Sequence, residues 1–529
     1  MKVNKSLKIL DCTLRDGGYY NNWFFKKDLV QDYLTSCSQS KIDFVEIGFR
    51  FLNNKKGLGP YAQTTETTLN SLNIPKNLKL STMINASEFY GNEEQTKELL
   101  KKVFIKKRLS KISLVRIAIN FNDYTKGVHI TKFLKNYGYE VGFNLMQSHN
   151  KKEADIKNAV MRIVSWGSVD YLYYADSIGV MNPDYILFIS NNFILNSKKT
   201  RIGIHAHNNK SLALINSLTA ISKGLSIIDC TILGMGRGAG NTPTEALLLE
   251  LESLGYKYKS AAILDVLHYF NSLQIKYQWG PNFYYHYAAI NNIHPTYIQN
   301  LLDDKRYNLD QRKLALKSLK VRDTNFFSED NLKSAIYKRN IFKDNFNASN
   351  FFKNKNICIL ASGPSGEKLS NQVTNYIKKN KPIVLSLNIN QFISSKYIDY
   401  YVSSYEYRVF FDSQIFNKMN KRIIMPYSLF KKHLDNPINN DFLIDYGLRI
   451  KSKAFNVFDR YCELDSPLAI AYALAFCSIG SAKSINLAFV DGYVGDDLKN
   501  SEIINCISKF KNKNQKIKLK FLTPSFIEN

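Results

Sequence analysis

His205 and His207 stand one residue apart at the end of the run RIGIHAH (201–207), and no other pair in this 529-residue chain has a type and spacing that point so directly to chemistry. In a strand, alternate side chains share a face, so an H-x-H pair at a strand end can turn both imidazoles toward a single cation. Two imidazoles and a carboxylate from another strand end form a facial site suited to a divalent metal. Asp16 is the natural third ligand. It follows the run KILDCTL (8–14), and in a closed barrel the first strand neighbours the eighth, which brings the seventh close by.

Such a site needs elements that carry residue 16 to residues 205 and 207. From residue 8 to about 255 the chain repeats one pattern: a short β-branched and apolar run, a polar loop, then a helically spaced stretch. The strand-like runs are 8–14, 44–50, 78–84, 114–120, 141–147, 169–175, 201–207 and 227–233, and helix candidates between them include 26–40, 93–103, 151–166 and 211–224. Alternating strands and helices predict a parallel sheet, and eight such units in about 250 residues is the size of a (β/α)8 TIM barrel. The polar residues favour a barrel over an open sheet. Asp16, Glu46, Arg50, Asn120, Ser148, Asp176, His205, His207 and Asn241 fall at or just after the ends of different strands, which in a barrel converge on one mouth. The expected organisation is an α/β chain with a barrel over 1–258, a helical appendage over 259–345, an Asn-rich linker over 344–356 and a Rossmann-like α/β domain over 352–529.

Composition narrows the classes. Apolar residues are 45% and charged residues 22%, which excludes wholesale disorder. No apolar run reaches the roughly 18 residues that span a bilayer, and the N-terminus lacks a signal-peptide core. Seven cysteines are scattered singly without a C-x-x-C pair, which argues against a disulfide framework and a structural zinc site. These features predict a cytoplasmic protein. The net charge of +27 is carried by lysines spread along the chain beside abundant Asn, Ile, Tyr and Phe, with no RNA- or DNA-binding signature, so the expected partners are anionic metabolites and not nucleic acid.

Four motifs occur in order at the strand ends: LDCTLRDGG (10–18), ADSIG (175–179), GIHAHNN (203–209) and GMGRGAGNTPTE (234–245). Together, over about residues 8–255, they resemble the metal-dependent aldolases and acyl-CoA-type synthases built on the barrel of 3-hydroxy-3-methylglutaryl-CoA lyase, 4-hydroxy-2-oxovalerate aldolase among them. The resemblance implies Mn2+ or Mg2+ held by Asp16, His205 and His207, with Asn241 joining the metal shell in some branches. It implies C–C bond formation or cleavage beside a 2-oxo acid of the pyruvate type, with an aldehyde as partner or, in the Claisen-type alternative, an acyl-CoA. Arg15 matches an arginine that contacts the enolate oxygen. Gly236 and Gly238 let backbone approach the ligand, and Ser148 is a candidate for its carboxylate. Where the resemblance calls for a histidine or glutamine three residues after the motif aspartate, this chain has Tyr19. A phenol titrates near pH 10. Tyr19, His149, Glu46 and a metal-bound water are therefore rival bases, and a non-catalytic ligand-binding protein is the alternative from another class.

In the C-terminal half, LASGPSGEK (360–368) follows a strand and precedes a helix, so amides around Ser362, Gly363, Ser365 and Gly366 are positioned to receive a phosphate. The turn distantly resembles sialyltransferase-like Rossmann proteins, which implies a nucleotide or nucleotide sugar, a glycosyltransferase-like role and a bifunctional chain in a surface-glycan pathway. A homo-oligomer is a further expectation.

Overall fold

The computed structural model describes the chain except residues 1–3, 5, 54–56, 305–306, 308, 325–326, 337–344, 432–437, 439, 493–497 and 528–529. It divides into two compact units: Met1–Asn308 with Lys320–Phe327, and Leu309–Leu319 with Ser328–Asn529.

The first unit is a closed barrel of eight parallel strands in sequence order: β1 (Lys8–Asp11), β2 (Phe44–Phe49), β3 (Lys79–Asn85), β4 (Ile112–Asn120), β5 (Glu140–Met146), β6 (Tyr171–Asp176), β7 (Arg201–Ala206) and β8 (Ile227–Cys230). The seam is β1, where Leu10 pairs with Phe44 on one side and with Asp229 on the other. Around the strands lie α1 (Thr13–Asn21), α2 (Lys27–Gln39), α3 (Glu66–Asn70), α4 (Glu93–Lys101), α5 (Val128–Asn136), α6 (Glu153–Ser165), α7 (Pro183–Asn196), α8 (Ala213–Ser222) and α9 (Thr244–Ser253). Their inner faces follow from spacing. In α6 the buried residues are Ile156, Ala159, Val160 and Ile163, a stripe at i, i+3, i+4 and i+7 that packs against the barrel.

Two interior layers govern the site. Along the even strands, Phe44, Leu114, Tyr171 and Ile227 close the floor as an apolar cluster that also includes Leu10, Cys12 and Tyr173. Two residues further up the same strands stand Glu46, Arg116, Tyr173 and Asp229, all buried. A barrel layer drawn from alternate strands is normally filled by branched aliphatics, so an acid–base layer here departs from the packing norm.

The first motif departs from expectation. The strand read over 8–14 stops at Asp11, because the Asp11 carboxylate accepts the Thr13 amide at 2.9 Å and starts α1. Arg15, Asp16 and Tyr19 therefore lie on a helix. The strand read over 227–233 likewise ends at Cys230, and a turn follows in which Leu233 has φ 51°.

The helical stretch read as one appendage over 259–345 is shared between the units. α10 (Leu264–Tyr277), α11 (Phe283–Ile290) and α12 (Pro295–Asp303) belong to the first; α13 (Leu309–Leu319) and α14 (Glu329–Ile336) belong to the second.

The second unit carries a seven-stranded parallel sheet. Its strands are β9 (Asn356–Leu360), β10 (Ile383–Leu387), β11 (Tyr400–Val402), β12 (Arg422–Met425), β13 (Leu443–Asp445), β17 (Ser484–Ala488) and β18 (Lys518–Phe521), ordered β13-β12-β11-β10-β9-β17-β18. The order reverses between β9 and β17, the switch point of a doubly wound fold. A second sheet, ordered β14-β16-β15, is formed by β14 (Gly447–Ile450), β15 (Phe455–Phe458) and β16 (Tyr461–Leu464), which no strand expectation covered. Five further helices complete the unit: α15 (Gly366–Asn380), α16 (Glu406–Lys418), α17 (Tyr427–Phe430), α18 (Ala469–Ile479) and α19 (Leu498–Lys513). Eight consecutive residues of α18, Ile470 to Cys477, are buried. From residue 345 on, the stretch read as a linker is instead part of this core. Ala348 and Phe352 are buried, and Phe346, Asn350 and Phe352 donate backbone hydrogen bonds to Asp445, Ile479 and Gly480. Its asparagines suggested a loop, but its aromatic residues anchor it. All seven cysteines are free and buried, and among the described residues no helix is long and apolar enough to cross a membrane.

Candidate functional site

At the C-terminal end of the barrel, the ligand atoms of Asp16, His205 and His207 lie within 4.8 Å of one another, all three residues buried. α1 delivers Asp16 in its first turn, while β7 delivers the histidines from the strand end and the residue after it. Asn241 joins them by donating from Nδ2 to Asp16 Oδ2, and an isolated bridge pairs it with His207.

A chain of buried charge holds this group. Arg15 donates from Nε to Glu46 Oε2 at 2.7 Å and lies 2.9 Å from Asp16 Oδ1 through its NH1. Glu46 Oε2 also accepts from Arg116 NH1 at 3.0 Å, and the other arm of Arg116 donates to Asp229 Oδ2. Asp229 Oδ2 lies 2.8 Å from His205 Nδ1, while His205 Nε2 is 3.6 Å from Asp16 Oδ2. The path returns to its start, and its guanidinium at Arg116 rests over the Tyr173 ring at 4.4 Å.

The electrostatics follow from this ring. Burial alone would raise the Asp16 carboxyl, but Arg15 and the two imidazoles hold it well below the usual carboxylate range. Burial pushes His207 well down, and the neighbouring His205 pushes it further. His205 goes the other way: against burial, its hydrogen bonds to Asp16 and Asp229 raise it.

The donor set fits a divalent cation. His207 Nδ1 and Asn241 Oδ1 are buried with no hydrogen-bond partner, and an unpartnered buried polar atom costs roughly 1–3 kcal/mol. Asp229, on Nδ1 of His205, leaves Nε2 as the nitrogen that could face an ion, the outer-shell arrangement that orients metal-binding histidines. A second group within the same limit, Cys12, His205 and Asp229, suits an ion less well. Burial raises the Cys12 thiol well above its ordinary value, which keeps it protonated, and Asp229 Oδ2 already serves Arg116 and His205.

The other expected residues fall into place unevenly. Gly236 lies against the site, since a Cβ there would come within 3.0 Å of Asp16 Oδ2 and 2.6 Å of Asn241 Nδ2. Gly238, at φ +69°, faces Pro295 and Tyr285 instead. Ser148 is turned away, its hydroxyl donating to the Leu145 carbonyl at 2.7 Å. His149 stays outside the clustered ligands, and burial pushes it down to about 4, so it is neutral at pH 7 and weakly basic. Tyr19 lines the mouth, 36% exposed, between Trp23 and Phe49. Burial raises the phenol in spite of Arg237 and Arg15, which favours its protonated form. Arg50 points out of the barrel to Glu66 and to the carbonyls of Thr64 and Val103.

The phosphate cradle expected at Ser362, Gly363, Ser365 and Gly366 is filled from within the chain. Ser365 donates its amide and its hydroxyl to the two oxygens of Asp491, each at 2.6 Å, and a Cβ on Gly363 would meet that carboxylate at 2.6 Å. An internal carboxylate thus takes the position an incoming phosphate would need.

Arg116 and Asp229 went unnoticed in the sequence. The usable signal was parity: both lie two residues beyond the apolar floor residues Leu114 and Ile227, on strands whose inward face was already set.

The HMGL-like family model matches residues 101–269. The 4-hydroxy-2-oxovalerate aldolase of Carboxydothermus hydrogenoformans is 30% identical over 257 residues, 48% of this chain and 73% of that protein. The enzyme of the same name from a Geobacillus species is 30% identical over 259 residues, 47% of this chain and 72% of its own. Among solved structures, the HMG-CoA lyase of Brucella melitensis is 14% identical, covering 51% of this chain and 100% of that one with a TM-score of 0.42. Through its family match and its aldolase relatives, the chain belongs to the HMGL-like family of TIM-barrel aldolases.

Proposed function

We propose that the chain is a divalent-metal-dependent carbon–carbon lyase that makes or breaks the bond beside a pyruvate-type 2-oxo acid, with an aldehyde as partner. The convergence of Asp16, His205 and His207 beside Arg15 carries this reading. These three residues, with Asn241, would hold Mn2+ or Mg2+, which would supply Lewis-acid polarisation of the carbonyl.

The chain's own groups do the rest. Arg15, fixed by Asp16 and Glu46, keeps a permanent positive charge where the oxo acid's oxygen becomes negative; one such preorganised donor is worth roughly 3–4 kcal/mol. Asp229 holds His205 in one tautomer. Tyr19 carries a proton on Oη; in the direction of bond formation it donates that proton to the nascent alkoxide and regains one from solvent, which also takes up the proton lost from the pyruvate methyl. Trp23, Phe49 and Phe51 pack edge-to-face or stacked beside it and limit water at that side of the mouth.

The test is exchange of pyruvate methyl protons for deuterium by the full chain with Mn2+, followed by NMR, together with metal analysis. Asp16→Asn and His207→Ala are expected to lose bound metal and exchange together. Full metal occupancy in both variants overturns the assignment.

A further inference from the structure

Most charged groups at the barrel mouth answer one another, but Arg237 has no such partner. It sits in the loop after β8, one residue beyond Gly236, which packs on Asp16 and Asn241. Among the described residues no carboxylate lies within ion-pair distance of its guanidinium, and its Nε is buried without a hydrogen-bond partner. Its guanidinium sits over the Tyr19 ring, whose centroid is 5.6 Å from Cζ. Its charge also reaches His207 and His294, adding to the effect of burial that holds both imidazoles below their ordinary values. A half-buried arginine without an anion gives up hydration without receiving a counter-charge. The aromatic contact returns only about 0.5–2 kcal/mol.

The neighbourhood separates two jobs. Arg15 is held by two carboxylates and lies 5.9 Å from the Phe49 ring, on the side of the candidate metal ligands. Arg237 lies over the Tyr19 ring, which packs on Phe49 with centroids 6.1 Å apart, and Phe51 stacks on Phe49 at 4.6 Å. A ligand entering here meets carbon-rich walls and, beside them, a guanidinium without an ion-pair partner among the described residues.

We propose that Arg237 forms the acceptor subsite and that the second substrate is an aldehyde carrying an anionic group, a carboxylate or a phosphate, which the Arg237 guanidinium binds. The proposal rests on the lyase reading and adds the charge class of the partner to it. Arg237 then selects the acceptor, while Arg15 acts on the oxo acid.

The experiment uses the full chain with Mn2+ and pyruvate, and compares matched aldehydes: succinic semialdehyde with butanal for the carboxylate arm, glyceraldehyde 3-phosphate with glyceraldehyde for the phosphate arm. In at least one arm, kcat/KM for the charged member is expected to exceed that for the neutral one by about 100-fold, in line with a charge-assisted bidentate contact. The arm that shows the preference identifies the anion. Arg237→Gln should bring that ratio to within about threefold of unity, and Arg237→Lys should retain part of it. A wild-type ratio near unity in both arms, or a preference that survives in Arg237→Gln, overturns the proposal. If the variant does not fold, the wild-type ratio and competitive inhibition by succinate or inorganic phosphate decide, and no inhibition by either overturns it. Pyruvate proton exchange by the wild type, measured without an aldehyde, separates the two readings: exchange without charge preference removes the acceptor subsite alone, whereas absence of exchange removes the lyase reading and this proposal with it.

Discussion

The barrel mouth and the switch point of the second sheet are both places where parallel strands end and a helix begins beside a carboxylate, yet they treat their polar groups in opposite ways. At the mouth, Glu46 Oε1, Asp229 Oδ1, Asn241 Oδ1 and His207 Nδ1 are buried without partners, although the residues that bear them are firmly held. At the switch point, Asp491 answers Ser365, Asn390 Nδ2 donates to the Ala361 carbonyl at 2.7 Å, and Ser403 Oγ pairs with Asn388 Oδ1 at 2.8 Å. Buried polar groups are nearly always satisfied. A set left open, on residues fixed by a ring of ion pairs, marks a place shaped for something from outside the chain. A motif whose donors are already used does not.

The first way to press this comparison is Arg15→Lys. Replacing a fixed, planar donor by a point charge should lower kcat by about 10²–10³ while KM changes by only a few-fold, because the loss falls on the transition state. Steady-state kinetics decide, and an unchanged kcat removes Arg15 from the mechanism. In the second unit, Asp491→Ala should convert the closed turn into an open one. Loss of its two charge-assisted bonds is expected to cost about 1–3 kcal/mol in urea unfolding. Added inorganic phosphate should then raise the Tm of the variant and leave the wild type unmoved; stabilisation of the wild type would mean that the turn was never closed.

A third measurement separates proton donation from charge stabilisation. Tyr19→Phe should leave pyruvate proton exchange within about threefold of normal, since a phenol that keeps its proton is not the base, but should slow aldehyde addition by about 100-fold. Loss of exchange would restore Tyr19 as the base. The last measurement concerns Asp176, which caps the turn after β6 by accepting the Val180 and Met181 amides at 3.0 Å. Burial raises its carboxyl to about 6. A raised folded value favours the protonated form, so this group's stabilisation is complete below pH 4 and is lost as pH rises through about 6, a change on the order of 3 kcal/mol. Asp176→Asn should flatten the Tm profile between pH 4 and 7. An unaltered profile would show that Asp176 titrates like an exposed acid.

How far the sequence reached can be judged from individual residues. Alternating runs and loops located all eight barrel strands because a parallel sheet buried on both faces leaves dense apolar segments with polar breaks. The H-x-H pair and Asp16 were readable for the same reason, as strand ends converge once the strand order is known. What composition concealed was context. The Asn-rich stretch from 345 looked like a linker because its asparagines and lysines outnumber Phe346, Phe351 and Phe352, and β14 to β16 are too short to build a periodic signal. Ser148 looked like a ligand contact because a polar residue after a strand does not reveal which way its hydroxyl turns.

By itself, then, the sequence determined the alternation that makes a barrel, the residues able to bind a cation and the family to which they point. Tertiary structure alone decided which polar groups are free. Side-chain satisfaction depends on partners distant in the chain: Asp491 is 126 residues from Ser365, and Asp229 is 113 from Arg116. No local pattern records that one carboxylate closes a turn while another supports a histidine, or that Arg237 lacks the counter-charge that Arg15 has. Those outcomes follow from distance and burial, which exist only once the chain has folded.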